Sequence, residues 1–508
     1  MSMSPTGPLR FYLLRWPVSQ EEVEARLRAL EGRVLSLRRD GMWRICLPAA
    51  RRWRGEEIAS GAWLVEEPVI DRVSRPLGGH LLPEGLSKGY STPVRVVDPI
   101  TQRPIPGARV VLEGASGISY QADTNPEGIA LLHVLEEEWV QLDVLPTSGY
   151  WPMRQQAGIS SPNGTLEVSL TPITGAPTSY GWGFTRAMKI DRVHEAGITG
   201  KGVRVAVLDT GVSPHPDLRI VGGVNTTDRE DDRRWQDTHW HGTHVAGIVG
   251  AVGHPGALVG VAPECELFAV RVGRVETASA TRFTNTSFET DLIEGLEWCL
   301  NQGIEVVNMS LFARPSRVLD ELLEECWRRG MVVVAPSGNR RGLQDAAGVD
   351  YPALHPRVIS VGAVGRLGTY PEGSYFSSAE EGASFSPRFS DYYIPGFSRS
   401  GPGLDFVAPG VAILSTVPSG LSGWDATEQR LVGYTAWMGT SQAAPFIAGL
   451  SALVLESHAD IRRLTDGRRV DAVREVMRRS AVSLGLDRQL EGNGMPFAPA
   501  CLNQAGLD

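Results

Sequence analysis

The hydrophobic pattern of this 508-residue chain predicts an α/β fold with a largely parallel sheet, preceded by a small split-βαβ unit and a small β-sandwich. Three observations lead there. Across residues 178–500, short continuous apolar runs alternate with amphipathic helical stretches, as in a parallel sheet covered on both faces. Across residues 92–173, short strand-like runs follow one another with no helical period. Residues 10–75 mix the two periods. A chain this long exceeds one core, and about two to four domains are expected.

The first unit begins with a strand at residues 11–14. Ser19 and Glu22 form a capping box, Val23, Leu27 and Leu30 follow at helical spacing, and Gly32 stops the helix. Residues 33–37 read as a strand, Asp40-Gly41 as a hairpin turn and 42–47 as the returning strand. A helix near 49–60 and a strand at 63–65 complete the order β-α-β-β-α-β, a split-βαβ (ferredoxin-like) sandwich. In the second unit, strands fall at 94–97, 108–112, 129–134, 140–145 and 165–170, separated by turns rich in Pro, Gly, Asn and Asp.

In the third unit the apolar strands are 203–208, 267–270, 306–309, 332–335 and 358–361. A helix over 292–302 puts Leu292, Leu296 and Cys299 on one face. Ligands of such sheets bind beyond the carboxyl ends of strands. Asp209 and Asn339 both lie just past such ends.

Bulk properties narrow the function. The composition is ordinary for a globular protein, at 42% hydrophobic and 21% charged, and a net charge of -9 argues against nucleic acid as a partner. Arginines early in the chain are interleaved with Glu, as on a solvated helix face. No apolar run reaches the roughly 18 residues of a membrane span. The first residues lack the basic and apolar pattern of a secretory signal. Five cysteines (Cys46, Cys265, Cys299, Cys326, Cys501) with no CxxC spacing predict free thiols in a reducing, cytoplasmic setting.

The chemistry sits in three segments of the third unit: Val205-Ala-Val-Leu-Asp-Thr-Gly-Val212, His241-Gly-Thr-His-Val-Ala-Gly-Ile-Val-Gly250 and Gly439-Thr-Ser-Gln-Ala-Ala-Pro-Phe-Ile-Ala-Gly449. Acyl transfer needs a nucleophile, a base, an anion that orients the base, and donors for a developing oxyanion. Ser441 opens a helix, where its own N–H and the helix dipole favour negative charge. Alone it would read as an N-cap. His241 opens another helix as candidate base, and Asp209 closes an apolar strand, where it can hold the imidazole tautomer. Asn339, in Val332-Val-Val-Ala-Pro-Ser-Gly-Asn339, is a candidate oxyanion donor. His241 and His244 lie three apart, but the HExxH spacing of a zinc site is absent, so no metal is expected there. His244 reads as a buried structural histidine and His239 as a surface one.

Taken jointly, these segments resemble the subtilisin-like serine peptidase (subtilase) family over nearly all of residues 180–500. Trp182-Gly183, Thr199-Gly-Lys-Gly-Val203, His215-Pro-Asp-Leu218, Gly260-Val-Ala-Pro263, Asn308-Met-Ser-Leu311 and Val407-Ala-Pro-Gly-Val-Ala-Ile413 carry the same likeness. The resemblance implies a subtilisin-like fold and a serine endopeptidase acting on protein or peptide substrates without a cofactor. Asp209, His241 and Ser441 would be its triad and Asn339 its oxyanion donor. It also implies that the first unit is an inhibitory propeptide, a partner within the same chain. Pro104-Ile-Pro-Gly-Ala-Arg-Val110 and Asp123-Thr-Asn-Pro-Glu-Gly128 resemble a carboxypeptidase regulatory-like β-sandwich.

The chain departs from the family in five places. The substrate-binding strand is implied at Ser310 and Leu311, but Phe312 stands where the family carries the Gly that lines S1. Arg340, with Arg341 beside it, falls at the implied pocket mouth. A small or acidic P1 residue is therefore expected, unless both arginines turn to solvent. In the calcium loop, residues 251–258 contain no Asp or Asn and only Asp217 keeps a ligand position, so no tight calcium is expected. Residues 367–395 look inserted, and read equally as a contact loop or a self-packed Ω-loop. Finally, a β-sandwich separates the propeptide-like unit from the catalytic one. This suggests a regulated zymogen with the first unit as a brake. The alternative from another class is a catalytically silent fold used for binding.

Overall fold

The computed structural model describes residues 9–502 apart from 16–17, 31–32, 38–42, 49–53, 55–57, 60–62, 67–68, 72–89, 116–118, 135–138, 160–163, 175–180, 182, 228–231, 238, 254–257, 280–281, 341–347, 419–422 and 426–429. In the first unit, four antiparallel strands lie in the order Arg33–Leu37, Trp43–Pro48, Leu9–Arg15, Trp63–Glu66. This is split-βαβ order, with the first strand between the third and fourth. Helix Gln20–Ala29 begins at Ser19, whose Oγ accepts from Glu22 N while the Glu22 carboxylate accepts from Ser19 N. Its buried face, Val23 and Leu27, joins Tyr12, Leu14, Ile45 and Leu47 in one core. Gly32, the turn at 40–41 and most of the expected helix at 49–60 lie outside the described residues. Strand Val69–Asp71, which the pattern did not reveal, crosses to the third unit and pairs antiparallel with Arg282–Phe288.

The second unit is two facing sheets. One has the order Met153–Ile159, Trp139–Leu145, Arg109–Gly114, Ser119–Asp123; the other, Leu166–Ser169, Tyr90–Val97, Ile129–Val134. Val94, Val110, Leu112, Leu132, Leu142 and Val144 are among the residues filling the space between them. The sequence reading missed Ser119–Asp123 and Met153–Ile159. Both are edge strands, and their polar residues weaken the alternation that marks a strand. The sandwich is seated on the third unit by main-chain bonds. Gly149 N donates to Tyr434 O (3.0 Å), Leu431 N to Ile173 O (3.2 Å), and Tyr375 N to Pro152 O (2.9 Å).

A nine-stranded sheet organises the third unit. Its parallel body runs Ile220–Asn225, Glu266–Arg271, Arg204–Asp209, Val306–Asn308, Val332–Pro336, Val358–Arg366 and then Phe406–Pro409. Successive strand residues point to opposite faces, yet every residue of Val332–Pro336 and Phe406–Pro409 is buried. Both faces of the sheet are therefore covered, as the continuous apolar runs require. Edge strand Ile220–Asn225, half-exposed and carrying two glycines, escaped the sequence reading. Helix Glu289–Asn301 begins three residues before the expected span 292–302 and ends one residue short of its end. Cys265, Cys299, Cys326 and Cys501 are buried free thiols. Burial pushes Cys265, Cys326 and Cys501 up to about 12, which leaves them unreactive.

The inserted stretch 367–395 is packed. A short turn of helix, Tyr375–Glu380, buries Phe376, and strand Tyr392–Ile394 continues the sheet by pairing with the end of Val358–Arg366. Phe376 and Tyr393 share a satellite core with Leu145 of the sandwich and with Val411 and Ala436. Phe376→Ala should therefore lower stability by about 3–5 kcal/mol, read from the guanidinium unfolding midpoint. A change below about 0.5 kcal/mol would show the insertion to be surface decoration.

Candidate active site

Polar residues gather beyond the carboxyl edge of the sheet. Asp209 ends strand Arg204–Asp209, which is held between two neighbours, so its position is set from both sides. The carboxylate is fully buried, a state that is costly without hydrogen bonds. Its Oδ1 accepts from Thr210 N at 2.6 Å and from His241 Nδ1 at 2.9 Å. An ionised carboxylate only accepts, so Nδ1 carries the hydrogen and Nε2 of the neutral ring keeps its lone pair.

His241 opens helix His241–Gly250. Gly242 lets this helix close on the Asp209 turn: a Cβ there would collide with Gly211 O, and Gly242 N donates to Thr210 Oγ1 at 2.9 Å. Asp237, which the sequence reading passed over, caps the helix. It accepts from His239 N, Trp240 N and Thr243 N at 2.8–3.0 Å. The available signal was an Asp in the turn just before a helix start. His244, one turn along, is fully buried and donates from Nε2 to Thr435 O at 3.2 Å. Burial first, and the neighbouring His241 second, push its pKa down to about 3, so it stays neutral. His239, expected at the surface, is half-buried and stacked on Trp240 at 5.1 Å.

Ser441 is the second residue of helix Thr440–Ser457 and is 6% exposed. Its N–H has no acceptor among the described residues, as expected of a first-turn amide. Gly439 before it has φ 153°, and a Cβ there would sit 2.8 Å from Gln442 Oε1. Asn339 Oδ1 accepts from both Thr440 N and Thr440 Oγ1 at 3.0 Å, which fixes the orientation of the amide. Its Nδ2 then lies 3.6 Å, and Ser441 N 3.7 Å, from the point a Gly439 Cβ would occupy. Two donors thus flank the space that Gly439 leaves open.

Ser310 Oγ accepts from Asn308 Nδ2 (3.0 Å) and donates to Ser441 O (2.9 Å), tying a central strand to the serine helix. The Leu311 side chain is buried in the main core and Phe312 is half-buried. Half-buried Arg340 donates from N to Phe397 O (2.6 Å) and from Nη2 to Ser400 Oγ (3.4 Å). Arg341 lies outside the described residues. The structure joins Asp209 to His241 and Asn339 to the serine helix. Among the described residues, no hydrogen bond joins Ser441 Oγ to His241 Nε2.

The family's calcium position does not fit an ion. Asp217 is buried and its Oδ2 accepts from Tyr434 Oη, while the His215 ring packs edge-on against Tyr434 at 5.1 Å. The nearby stretch 251–258 carries no acidic side chain. Among the described residues no group of three or more His, Cys, Asp or Glu is arranged around a common metal position.

The buried histidines predict acid sensitivity. In the unfolded chain His244 titrates near ~6.5. Below that pH the unfolded state binds a proton that the folded state refuses down to about 3. Stability therefore falls with pH across that window, by up to about 1.4 kcal/mol per unit from this one group. Burial also holds His194 and His215 down, in the same direction. The denaturant midpoint at pH 4.5 should lie clearly below that at pH 7. A flat profile would refute the buried neutral state of His244.

Comparison with known proteins bears on the family. Residues 200–496 match peptidase S8, the subtilase family. An alkaline protease of Alkalihalobacillus alcalophilus is 32% identical over 399 residues, 76% of this chain and 88% of that protein. Subtilisin BL of Lederbergia lenta is 34% identical over 323 residues, 63% of this chain and 98% of that protein. A subtilisin of Bacillus pumilus is 35% identical over 273 residues, 53% of this chain and 83% of that protein. With the family match covering more than half of the chain and the sheet, helices and site laid out as above, the chain belongs to the subtilase family of serine endopeptidases.

Proposed function

We propose that the chain hydrolyses peptide bonds through Ser441, His241 and Asp209, and that its N-terminal unit holds it as a zymogen. The buried 2.9 Å contact between Asp209 and His241 carries the catalytic half of this reading. Ser441 Oγ attacks the peptide carbonyl and its proton passes to His241 Nε2. Asp209 stabilises the imidazolium without taking the proton. The oxyanion receives hydrogen bonds from Asn339 Nδ2 and Ser441 N at the positive end of the serine helix. His241 returns the proton to the leaving amine, and water then releases the acyl group by the same steps. The open His241–Ser441 pair is compatible with this, since such contacts tighten on substrate binding. Phe312 after Ser310 and Leu311, and Arg340 directly after Asn339, favour a small or acidic P1 side chain. The unpaired buried cysteines favour a cytoplasmic setting.

The pairing of Val69–Asp71 with Arg282–Phe288 supports the brake. Arg282–Phe288 forms a hairpin with Arg274–Ser279, which begins beside Val272 and Gly273, whose N–H groups both donate to Asp209 O. A strand from the N-terminal unit thus pairs with an edge close to the site, the mode by which extended peptides add to sheets.

The test is intact mass over time for the wild type beside Ser441→Ala, followed by turnover of a P1-varied peptide library. The wild type should separate its N-terminal unit from the body while Ser441→Ala stays whole, and turnover should vanish with Ser441. Asn339→Ala should cut kcat by about 10²–10³, the range known for an oxyanion-hole amide in subtilisin. A wild type that neither cleaves itself nor reacts with a fluorophosphonate after limited proteolysis would make the fold a binding module. Strong turnover of Lys or Arg at P1 would remove the pocket reading alone.

A further inference from the structure

A line of rings runs from the β-sandwich to His241. At the site end, the Trp240 ring lies 5.9 Å from His241, 6.1 Å from His244 and 4.9 Å from Trp437, each edge to face. Trp437 is stacked on Tyr375 at 6.2 Å, with the rings 22° from parallel. The guanidinium of Arg154, from the sandwich, sits 4.7 Å over the Tyr375 ring. Arg154 cannot swing away, because Asp143 holds it by two bonds, from Nε and Nη2, each 2.8 Å. Both of these side chains are under a tenth exposed. The main chain locks the junction as well, since Arg154 N donates to Gly373 O and Tyr375 N to Pro152 O, both at 2.9 Å.

Trp240 shows why such a brace is needed. Its φ is 143°, in a region that side-chain-bearing residues avoid. A strained residue directly before the candidate base persists only where its surroundings over-determine it. Asp237 accepts from its N–H, and three neighbouring rings besides Trp437 and the cap leave its indole little freedom. Trp437 is the contact that reaches outside the histidine segment, and Tyr375 and Arg154 fix Trp437 in turn.

We propose that Arg154 and Tyr375 are positioning residues for the base, so that the β-sandwich acts as an internal brace of the active site. They touch neither substrate nor His241; they act through Trp437 and Trp240. This rests on His241 being the base. An imidazole held loosely turns over more slowly at unchanged substrate affinity, since small misplacements of a catalytic group cost about 10- to 100-fold in rate.

The test uses the full chain, with kcat and KM measured on a peptidyl coumarylamide and on the same peptide extended beyond the scissile bond. Rates are taken per site titrated with a fluorophosphonate, so a smaller folded fraction does not count as a loss of rate. Tyr375→Leu, which keeps bulk but removes the stack, should lower kcat by about 10-fold or more on both substrates with KM within about twofold. Tyr375→Phe should restore the wild-type rate. Arg154→Lys keeps the pairing charge for Asp143 but loses the planar cap on the ring, and should give a smaller fall in kcat of the same kind. An unchanged kcat in both Tyr375→Leu and Arg154→Lys would overturn the brace. So would a rise in KM confined to the extended peptide, which would make the rings a substrate wall only. Lack of any Ser441-dependent turnover in the wild type would instead remove the base assignment and the brace together.

Discussion

The buried charge of Asp209 is the constraint on which the site depends. A carboxylate with no exposure at the end of a central strand needs donors, and every nearby segment is arranged to supply or protect them. Thr210 offers its N–H, and His241 offers Nδ1. Gly242 is small enough to bring the histidine helix down onto the turn. The same residue organises its strand neighbour, because Asp209 O accepts from Val272 N and Gly273 N. One unsatisfied charge would cost several kcal/mol, so fold stability and site geometry are the same problem here.

Two helices carry the rest. His241–Gly250 and Thr440–Ser457 are largely apolar and buried along most of their length. Strand Ile413–Thr416 fastens the histidine helix through Ser415 Oγ to His244 O (2.6 Å) and Thr416 Oγ1 to Thr243 O (2.8 Å). Gly247 leaves room for those two hydroxyls, which a Cβ would strike. Both helices therefore start where packing dictates, with His241 and Ser441 in their first turns. Reactive groups on such rigid supports lose little entropy on binding substrate.

Most of this was legible in the sequence because it follows from local rules. Continuous apolar runs marked the central strands, the Ser19–Glu22 pair marked a helix start, and the residues at element ends marked the site. What was hidden is non-local. Ser119–Asp123 and Met153–Ile159 are polar edge strands, and Val69–Asp71 is three residues long and takes its identity from a partner about two hundred residues away. Trp240, Trp437 and Tyr375 carry no motif spacing, and only the fold stacks them. Asp217 stands in a motif that the family resemblance marks as a ligand position, and its bond to Tyr434 Oη is visible only in the fold. The insertion 367–395 could not be classed from composition, because what it buries includes a residue of another unit, Leu145.

Seating the sandwich on the catalytic unit alters how a brake in the first unit would work. Counted along the chain, about eighty residues intervene between brake and protease, a long and weak tether. Because the sandwich is bonded to the body through Tyr434, Leu431 and Tyr375, the chain between the first unit and the seated body comes down to residues 72–89. A flexible tether of about that length would set an effective concentration on the order of millimolar. An inhibitory unit with an intrinsic Kd of about 1 μM would then stay engaged roughly 99.9% of the time while joined. One cut within 72–89 removes that advantage, and at nanomolar protein the same unit dissociates almost completely. Moderate intrinsic affinity is thus enough for a tight brake with a clean release. It fits a contact as small as the three-residue strand Val69–Asp71, with the sandwich staying bonded to the body.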